Sequence, residues 1–203
     1  MDEAKIRLSK EEMELVCSAN WILTKNGILE KTKELFGLLL TRYQQILQPY
    51  AKELPAEIFI ASPKISKGEN YRGLPYLVLD YPRHFTAQDV FAIRTLFWWG
   101  NFFSITLHLS GLYKKKYEKK ILGSFSSLAK NNFYCCAGDD PWQHHFNKDN
   151  YFPLAERDMP DVEKMISEKP FIKLAAKLDL QQWENSPLIL EKHFRQIMEM
   201  LAG

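Results

Sequence analysis

Hydrophobic positions are densest between positions 71 and 111, where the chain is richest in aromatic and β-branched side chains. Within this stretch Gly100 and Asn101 stand between two aromatic pairs, and both residue types tolerate the positive φ angles of tight hairpin turns. The pattern predicts a β-hairpin closed by a two-residue turn. It also predicts a neighbouring strand over 74–81.

A two-residue turn fixes the register of the hairpin and therefore the side chains that share each face. With Trp99 opposite Phe102, one face mixes apolar and polar residues. Its polar members are Thr95, Ser104, Thr106 and His108. The other face carries Arg94 among aliphatic and aromatic residues. We expect this second face to pack on helices, and the mixed face either to meet water or to line a pocket.

Helical periodicity marks the N-terminal quarter of the chain. The residues from Ser9 to Glu12 have the S-x-x-E form of a capping box, which predicts a helix that ends near Gly27. A second helix is predicted from apolar residues that recur at steps of three and four. They are Phe36, Leu40, Tyr43, Leu47 and Tyr50. Such a stripe is typical of a helix face that packs on the core.

The second half of the chain is predicted to be mainly helical, with one helix over 112–131. Proline at a first helical position indicates three further helices, which begin at Met159, Pro170 and Ser186. The helix after Pro170 is expected to bury Phe171, Leu174, Ala175 and Leu178. The last helix is expected to bury Leu190, Phe194, Ile197, Met198 and Leu201.

Shorter segments are predicted from their Pro, Gly and Asn content. Residues 57–67 are expected to form a strand that Pro63 interrupts, followed by a turn over 67–70. Pro82 should end the strand 74–81, and residues 86–89 should cap a short helical turn. Residues 133–154 are predicted to contain one strand, a turn and a largely irregular extended piece.

Together these elements predict an α+β fold in a single domain, 1–203. An antiparallel sheet of four to six strands is expected to pack against N-terminal and C-terminal helices. By segment, 1–56 is helical, 57–111 forms the sheet core, 112–131 is a helix, 132–155 mixes strand and loop, and 156–203 is helical.

The stretches ENYRGLPYLVLDYPR and RTLFWWGNFFSITLHLSG resemble a family of uncharacterised bacterial hypothetical proteins. The resemblance covers about the first two thirds of the chain. It implies the same α+β fold and a bacterial origin, and it carries no catalytic residue that could be transferred to this chain.

Charge and composition narrow the choice of partners. The net charge of +2 over 203 residues is too small to indicate a nucleic acid or a membrane. A basic cluster at the start of the helix 112–131 is explained more simply as a solvated helix face. It contains Lys114, Lys115, Lys116, Lys119 and Lys120. An odd number of cysteines and the lack of a long apolar run favour a reducing cytoplasm and no membrane span.

A small set of side chains is expected to contact a ligand. It comprises Tyr76, Asp80, Arg94, Thr95, Ser104, Thr106 and His108. Arg94 is central, because a guanidinium on an apolar strand face requires a partner. That partner is either a carboxylate of the protein or a small anionic ligand. No GxSxG, P-loop, GxGxxG or HExxH string occurs, so the sequence predicts no cofactor.

Cys135, Cys136, His144 and His145 are metal-ligand types that lie close together in the sequence. Adjacent residues of an extended chain point to opposite sides, so one Cys and one His at most would face one ion, too few for structural zinc. We therefore expect no metal here. A nucleophilic pair of Cys135 or Cys136 with His108 or His144 stays open, because such partners meet in space.

Two functions are compatible with these observations. The first is a binding or interaction protein that uses the mixed polar and aromatic face of the sheet. The alternative is a hydrolase or transferase that uses His108 with Asp80 or a cysteine. The aromatic residues of the hairpin, from Trp98 to Phe103, also predict a homodimer, because four aromatic side chains at a turn need a cover.

Overall fold

In the computed structural model, which describes residues 6–203, seven strands form one antiparallel sheet. Their bounds are β1 (Lys64–Tyr71), β2 (Leu74–Phe85), β3 (Val90–Trp98), β4 (Phe102–Ser110), β5 (Tyr134–Cys136), β6 (Tyr151–Pro153) and β7 (Phe171–Asp179). They lie in the order β1-β2-β3-β4-β7-β5-β6. β1 and β6 are therefore the edge strands, and β7 joins the long N-terminal part of the sheet to the short pair β5 and β6.

Six α-helices accompany the sheet in the described part of the chain. They are α1 (Lys10–Val16), α2 (Ala19–Leu47), α3 (Gly111–Gly123), α4 (Phe125–Lys130), α5 (Met159–Glu168) and α6 (Ser186–Ala202). The predicted α+β fold is confirmed, and the sheet has one strand more than the upper end of the predicted four to six. Within residues 6–203, none of the helices is both long and apolar enough to cross a bilayer.

The main core lies between the sheet and the pair α2 and α6. The ring of Tyr43 on α2 stacks on that of Phe194 on α6 at 3.9 Å between centroids. The predicted stripe of α6 is buried at every position, namely Leu190, Phe194, Ile197, Met198 and Leu201. On α2 the buried stripe includes Phe36, Tyr43 and Leu47 as predicted. Leu39 is buried beside them instead of the predicted Leu40. We refer to this side of the sheet as the helix side.

The capping box at the N-terminus is confirmed. The backbone amide of Glu12 donates to Ser9 Oγ at 3.2 Å, and the amide of Ser9 donates to the Glu12 carboxylate at 2.7 Å. The helix it starts ends at Val16 rather than near Gly27, and α2 runs through Gly27. Glycine ends a helix by taking a positive φ, which Gly27 does not do, so the prediction of a stop there was wrong.

The hairpin between β3 and β4 differs from its prediction by one residue. Its turn has three residues, Trp99 to Asn101, with a hydrogen bond of 3.0 Å from the Asn101 amide to the Trp98 carbonyl and a φ of 68° at Gly100. Trp98, not Trp99, therefore lies opposite Phe102. Because side chains alternate along a strand, this shift moves every residue of β3 to the other face.

The residues after Pro170 form the strand β7, so the helix predicted there was wrong. The strand pairs with β4 on one side and β5 on the other, in the middle of the sheet. Its alternating apolar residues face the helix side and join the main core. They are Ile172, Leu174, Ala176 and Leu178. The apolar spacing that indicated a helix arises because both faces of this strand are mostly buried.

Four shorter predictions around β1 to β3 were also wrong. Residues 57–67 do not form one strand, since Ala56–Phe59 is a 3₁₀ helix and β1 starts at Lys64. The turn expected at 67–70 lies inside β1. β2 continues past Pro82 to Phe85, with an irregular register after Asp80 that accommodates the missing proline amide. Residues 86–89 form a loop, and β3 begins directly after it.

Candidate functional site

Polar side chains collect on the sheet face that points away from the helix side. The registers place Asp80 of β2 opposite Arg94 of β3, Arg94 opposite Thr106 of β4, and His108 of β4 opposite Lys173 of β7. Paired residues of antiparallel strands share a face, so these five side chains form a row across four strands. We call this row the polar face.

Six of the seven predicted ligand residues lie on this side of the sheet. They are Tyr76, Asp80, Arg94, Ser104, Thr106 and His108. Thr95 lies on the helix side instead, where its hydroxyl is 3.1 Å from the Tyr43 hydroxyl in the buried core. The prediction that Thr95 shares a face with His108 was wrong, because the turn is one residue longer than expected. Tyr76 packs with Tyr71 and Trp98, four residues along β2 from Asp80.

Arg94 and Asp80 form a two-pronged ion pair. Arg94 Nε donates to Asp80 Oδ1 at 2.7 Å, and Nη2 donates to Oδ2 at 2.8 Å. Only 5% of Asp80 is exposed. The carboxylate that Arg94 requires is therefore its cross-strand neighbour, and both oxygens of Asp80 are engaged.

His144 reaches the same guanidinium from above the sheet. Its Nε2 lies 3.3 Å from Arg94 Nη1. A guanidinium can only donate hydrogen bonds, so Nε2 must accept, and the proton of the neutral imidazole sits on Nδ1. Burial lowers the pKa of His144 to about 2, and the positive charges of Lys173 and Arg94 act in the same direction.

His144 belongs to a segment that covers the polar face, residues 137–150, which we call the covering loop. Tyr71 anchors it, because the Tyr71 hydroxyl accepts hydrogen bonds from the amides of His144 at 2.7 Å and His145 at 3.1 Å. Lys169 anchors the other end through the Gly138 carbonyl at 2.9 Å. These contacts hold the covering loop in place, although most of the loop has no regular secondary structure.

Lys173 is the strongest of these anchors and the most unusual residue of the site. Only 2% of it is exposed, and its Nζ donates to the carbonyls of Pro141 at 2.8 Å and Gln143 at 2.6 Å. The ring of Tyr151 lies 5.3 Å from this ammonium, and the Asp140 carboxylate of the covering loop acts on its charge without forming a salt bridge to it. Burial lowers the pKa of Lys173 to about 8, so the side chain is still mostly protonated at neutral pH.

A small cavity lies between the polar face and the covering loop. Its volume is about 10 Å³, which is room for roughly one water molecule. It is lined by Phe85, Ala92, Arg94, Thr106, His108, Pro141, Trp142, His144 and Lys173. The half-exposed ring of Trp142 lies 5.5 Å from that of His108 and forms the outer wall. A larger ligand can enter only if the loop moves.

His108 is neutral in this setting. Burial lowers its pKa to about 3, and the charges of Lys173 and Arg94 act in the same direction. A neutral imidazole can donate one hydrogen bond and accept another. The two cations of the polar face therefore face the Asp80 carboxylate, two uncharged histidines and, at longer range, the Asp140 carboxylate of the covering loop.

The two adjacent cysteines lie on opposite sides of the sheet, as expected for consecutive strand residues. Cys135 packs in the main core on the helix side, while Cys136 lies 3.5 Å from Asn150 Oδ1 beneath the covering loop. Burial raises the pKa of both thiols, that of Cys135 to about 12, so neither is an activated thiolate. Within residues 6–203, no three His, Cys, Asp or Glu side chains are grouped to hold a metal ion.

The basic cluster of α3 is partly used inside the fold. Lys114 Nζ donates to the Lys169 carbonyl at 2.7 Å, next to the end of α5. Lys120 Nζ donates to the carbonyls of Leu201 at 2.9 Å and Ala202 at 3.2 Å, where the last turn of α6 leaves carbonyls unpaired. Two of the five lysines thus stabilise helix ends.

The aromatic residues of the hairpin are covered within the chain. Phe103 is fully buried and only 6% of Trp98 is exposed. Trp99 stacks on Trp21 at 6.4 Å, and Phe102 packs against Phe146 of the covering loop at 5.1 Å. The four exposed aromatics on which the dimer prediction depended are therefore not found.

Lys173, Tyr71 and the covering loop were missed by sequence reasoning. The available signal was the apolar residues at every second position, Ile172, Leu174, Ala176 and Leu178, which have the period of a strand, although the spacing of Lys173 and Lys177 also fits a helix. Chemically, the assembled site offers a buried ammonium bound to two loop carbonyls and a neutral imidazole beside one small, mostly apolar cavity. Comparison with protein families, curated proteins and solved structures finds no match to this chain.

Proposed function

We propose that this chain is a binding protein whose polar face takes a small anion beneath the covering loop. The observation that carries the proposal is Lys173, a buried ammonium whose only hydrogen-bond acceptors within residues 6–203 are the carbonyls of Pro141 and Gln143. Buried charges are normally paired with an opposite charge, because an unpaired one loses its hydration without compensation. An anion next to Lys173 supplies that charge.

The groups around the cavity suit a small anion, either a halide or a carboxylate. An ammonium has three donors, and Lys173 uses two of them on the loop carbonyls. Thr106, His108 and Lys173 are among the residues that line the cavity, most of whose wall is apolar, and the Thr106 hydroxyl also bonds to Tyr151. Arg94 adds positive potential but is already bound to Asp80. A halide or a carboxylate fits this set, and the covering loop shifts to admit anything larger than a water molecule.

The alternative, a hydrolase or transferase based on His108, has less support in the geometry. A catalytic imidazole needs a group that orients it, and Asp80 has both oxygens bound to Arg94. The Cys136 thiol donates a hydrogen bond to Asn150, and burial raises the pKa of this thiol, so it stays protonated. We therefore place binding ahead of catalysis.

We also propose that the protein is a bacterial cytoplasmic homodimer without a nucleic-acid partner. Three free thiols, Cys17, Cys135 and Cys136, suit a reducing compartment. For the dimer, the support now comes from the N-terminal helices, where Leu15, Val16, Ile22 and Leu23 are exposed beside Trp21. Exposed apolar patches of this kind usually mark contacts between proteins.

Thermal unfolding in the presence of single anions tests the anion site. The probes are sodium chloride, formate, acetate and inorganic phosphate at constant ionic strength, applied to the wild type, Lys173→Met and Lys177→Met. Lys177 is the matched control, because it lies on the same face of the same strand but is exposed.

We expect at least one anion to stabilise the wild type and Lys177→Met but not Lys173→Met. At ten times its Kd an anion adds about 1.4 kcal/mol of stability, which raises Tm by about 3–6 °C in a chain of this size. Equal stabilisation of all three proteins, or of none by any probe, would contradict the proposal.

A further inference from the structure

Lys173 is a buried amine whose hydrogen-bond acceptors within residues 6–203 are two uncharged carbonyl groups. They belong to Pro141 and Gln143 of the covering loop and lie 2.8 and 2.6 Å from Nζ. An ammonium has three N–H groups, whereas a neutral amine has two. Loss of one proton from Lys173 therefore leaves both contacts with the covering loop in place.

The surroundings of Lys173 also favour the neutral amine. Burial lowers its pKa to about 8, and the positive charge of Arg94 acts in the same direction, while Cys136 and Asp140 act against it. At pH 7 about one molecule in ten then holds the neutral amine, compared with about one in 2,500 for a lysine whose pKa is about 10.4. Only the neutral amine is nucleophilic, so Lys173 is better suited than an exposed lysine to attack a carbonyl carbon.

The contacts of Lys173 suit a product that stays positively charged. Besides the two carbonyls, the ring of Tyr151 lies 5.3 Å from Nζ, and the Asp140 carboxylate acts on the same charge. Each of these groups stabilises a cation. An acyl group would remove the charge of the lysine, whereas condensation with an aldehyde gives an iminium that keeps it. The charge distribution of the site therefore favours an aldehyde over an acyl donor.

The cavity beside Lys173 limits the size of the aldehyde. Its volume is about 10 Å³, and most of its wall is apolar. A short alkyl group matches this wall, whereas an aromatic ring is far too large. His108, the cross-strand neighbour of Lys173, lines the same cavity with a neutral imidazole that can accept one hydrogen bond and donate another. This imidazole is placed to bind the hydroxyl group of the intermediate that precedes the iminium.

We propose that Lys173 forms an iminium, a protonated Schiff base, with a small aliphatic aldehyde. The amine nitrogen bonds to the carbonyl carbon to give a carbinolamine, and the carbinolamine hydroxyl then leaves as water. The lysine ammonium and the aldehyde thus give the iminium and one water molecule, with no change in total charge and no oxidant or reductant. The iminium nitrogen keeps one N–H group, so one carbonyl of Pro141 or Gln143 is released and the covering loop shifts to admit the alkyl group.

Reductive trapping locates the iminium. The wild type at pH 7 is treated with equimolar acetaldehyde and sodium cyanoborohydride, which reduces an iminium to a stable ethylamine, and the ethylated lysines are identified by peptide mass spectrometry. Lys177 and Lys115 are the internal controls, because both are exposed and Lys177 lies on the same face of β7 as Lys173. The reaction is repeated in guanidinium chloride, which removes the fold, and with benzaldehyde, whose ring exceeds the cavity.

We expect Lys173 to be ethylated at least about tenfold faster than Lys177 or Lys115 in the folded protein, because its neutral fraction is larger. In guanidinium chloride the three lysines should react alike, and benzaldehyde should show no preference for Lys173. Three outcomes would overturn the inference: labelling of Lys173 no faster than that of the controls, a preference that survives unfolding, or the same preference with benzaldehyde. Each leaves the thermal test of the anion site unaffected, because that site uses the charged form of Lys173.

Discussion

Lys173 Nζ lies 2.6 Å from the carbonyl oxygen of Gln143, so a lysine of the central strand β7 fastens the covering loop to the sheet. The same ammonium holds the Pro141 carbonyl at 2.8 Å. Both bonds start from a side chain that is almost completely buried beneath the loop. Lys173 therefore supplies both a positive charge of the site and two hydrogen bonds that hold the covering loop.

Replacing Lys173 with Met should release the covering loop. Two loop carbonyls lose their donors, while the desolvation cost of the ammonium is removed, so we expect a net loss of about 1–2 kcal/mol in the free energy of unfolding. Hydrogen exchange over 137–150 should become faster. Lys115→Met is the control, because Lys115 is exposed on α3, whereas Lys177 lies 5.4 Å from the ring of Phe146 in the covering loop. The control should change neither quantity, and unchanged exchange over the loop in Lys173→Met would show that Lys173 does not hold it.

The free energy of unfolding should depend strongly on both partners of the ion pair between Asp80 and Arg94. Asp80→Leu leaves the guanidinium without its carboxylate and should lower the free energy of unfolding by about 3 kcal/mol. The double variant Asp80→Leu with Arg94→Met removes both charges and should recover much of that loss. Urea unfolding of the wild type, both single variants and the double variant gives the coupling energy. A coupling near zero would contradict the pairing.

Acid should destabilise the protein through the buried histidines. In the unfolded chain the pKa of an imidazole is about 6.5, whereas in the folded chain the pKa is about 3 for His108 and about 2 for His144. Between these values the unfolded state binds more protons, so the stability contributed by the neutral rings is complete above pH 6.5 and declines as the pH falls toward 3. Each histidine accounts for up to about 1.4 kcal/mol per pH unit.

The variant His108→Phe isolates that contribution, since carboxylates also titrate in acid. Urea unfolding at pH 7, 6, 5 and 4 should show a shallower decline for His108→Phe than for the wild type. His84→Phe, at a partly exposed position of β2, serves as the control and should follow the wild type. Parallel curves for all three proteins would show that His108 is not a buried neutral base.

Two glycines should respond to alanine in opposite directions. Gly111 has a φ of 57°, and a Cβ there would lie 2.5 Å from the Gln88 carbonyl oxygen, so Gly111→Ala should cost about 2 kcal/mol. Gly27 lies inside α2, and no atom lies within 4 Å of the place that an alanine methyl group would take. Gly27→Ala should therefore add about 0.5–1 kcal/mol. Thermal or urea unfolding decides both signs.

Self-association should depend on the contact of Trp99 with Trp21. Trp99→Glu removes the ring that stacks on Trp21 and places a charge beside the exposed residues Ile22 and Leu23. We expect sedimentation to show a dimer in the wild type and a monomer in Trp99→Glu. Leu188→Glu is the control, because Leu188 is 64% exposed on α6 and should leave the mass unchanged. A monomeric wild type would contradict the proposed dimer.

The helices were predictable where one face is buried and the other is solvated. α6 shows this pattern from Leu190 to Leu201, and every predicted position is buried. β7 was not predictable in the same way, because Phe171, Leu174, Ala175 and Leu178 are all buried on two different faces and their spacing also fits a helix. The distinction depends on neighbours that the local pattern does not contain.

Some residues of the polar face were named from the sequence, but their arrangement was not. Arg94, Thr106 and His108 were identified because polar groups are rare in an aromatic strand, and Arg94 was expected to need a carboxylate. Their common face was missed, because one additional turn residue at Trp99 exchanges the faces of β3. Lys173 was missed because it lies on a strand that was predicted as a helix.

The position of β7 between β4 and β5 also determines the order in which the molecule can assemble. β1 to β4 are consecutive hairpin-linked neighbours, so this part of the sheet can form from local contacts alone. β5 and β6 join it only through β7, which follows them in the chain. Pairing of β7 therefore completes the sheet and brings Lys173 to the covering loop together, so we expect attachment of the loop and completion of the native sheet to share one rate constant.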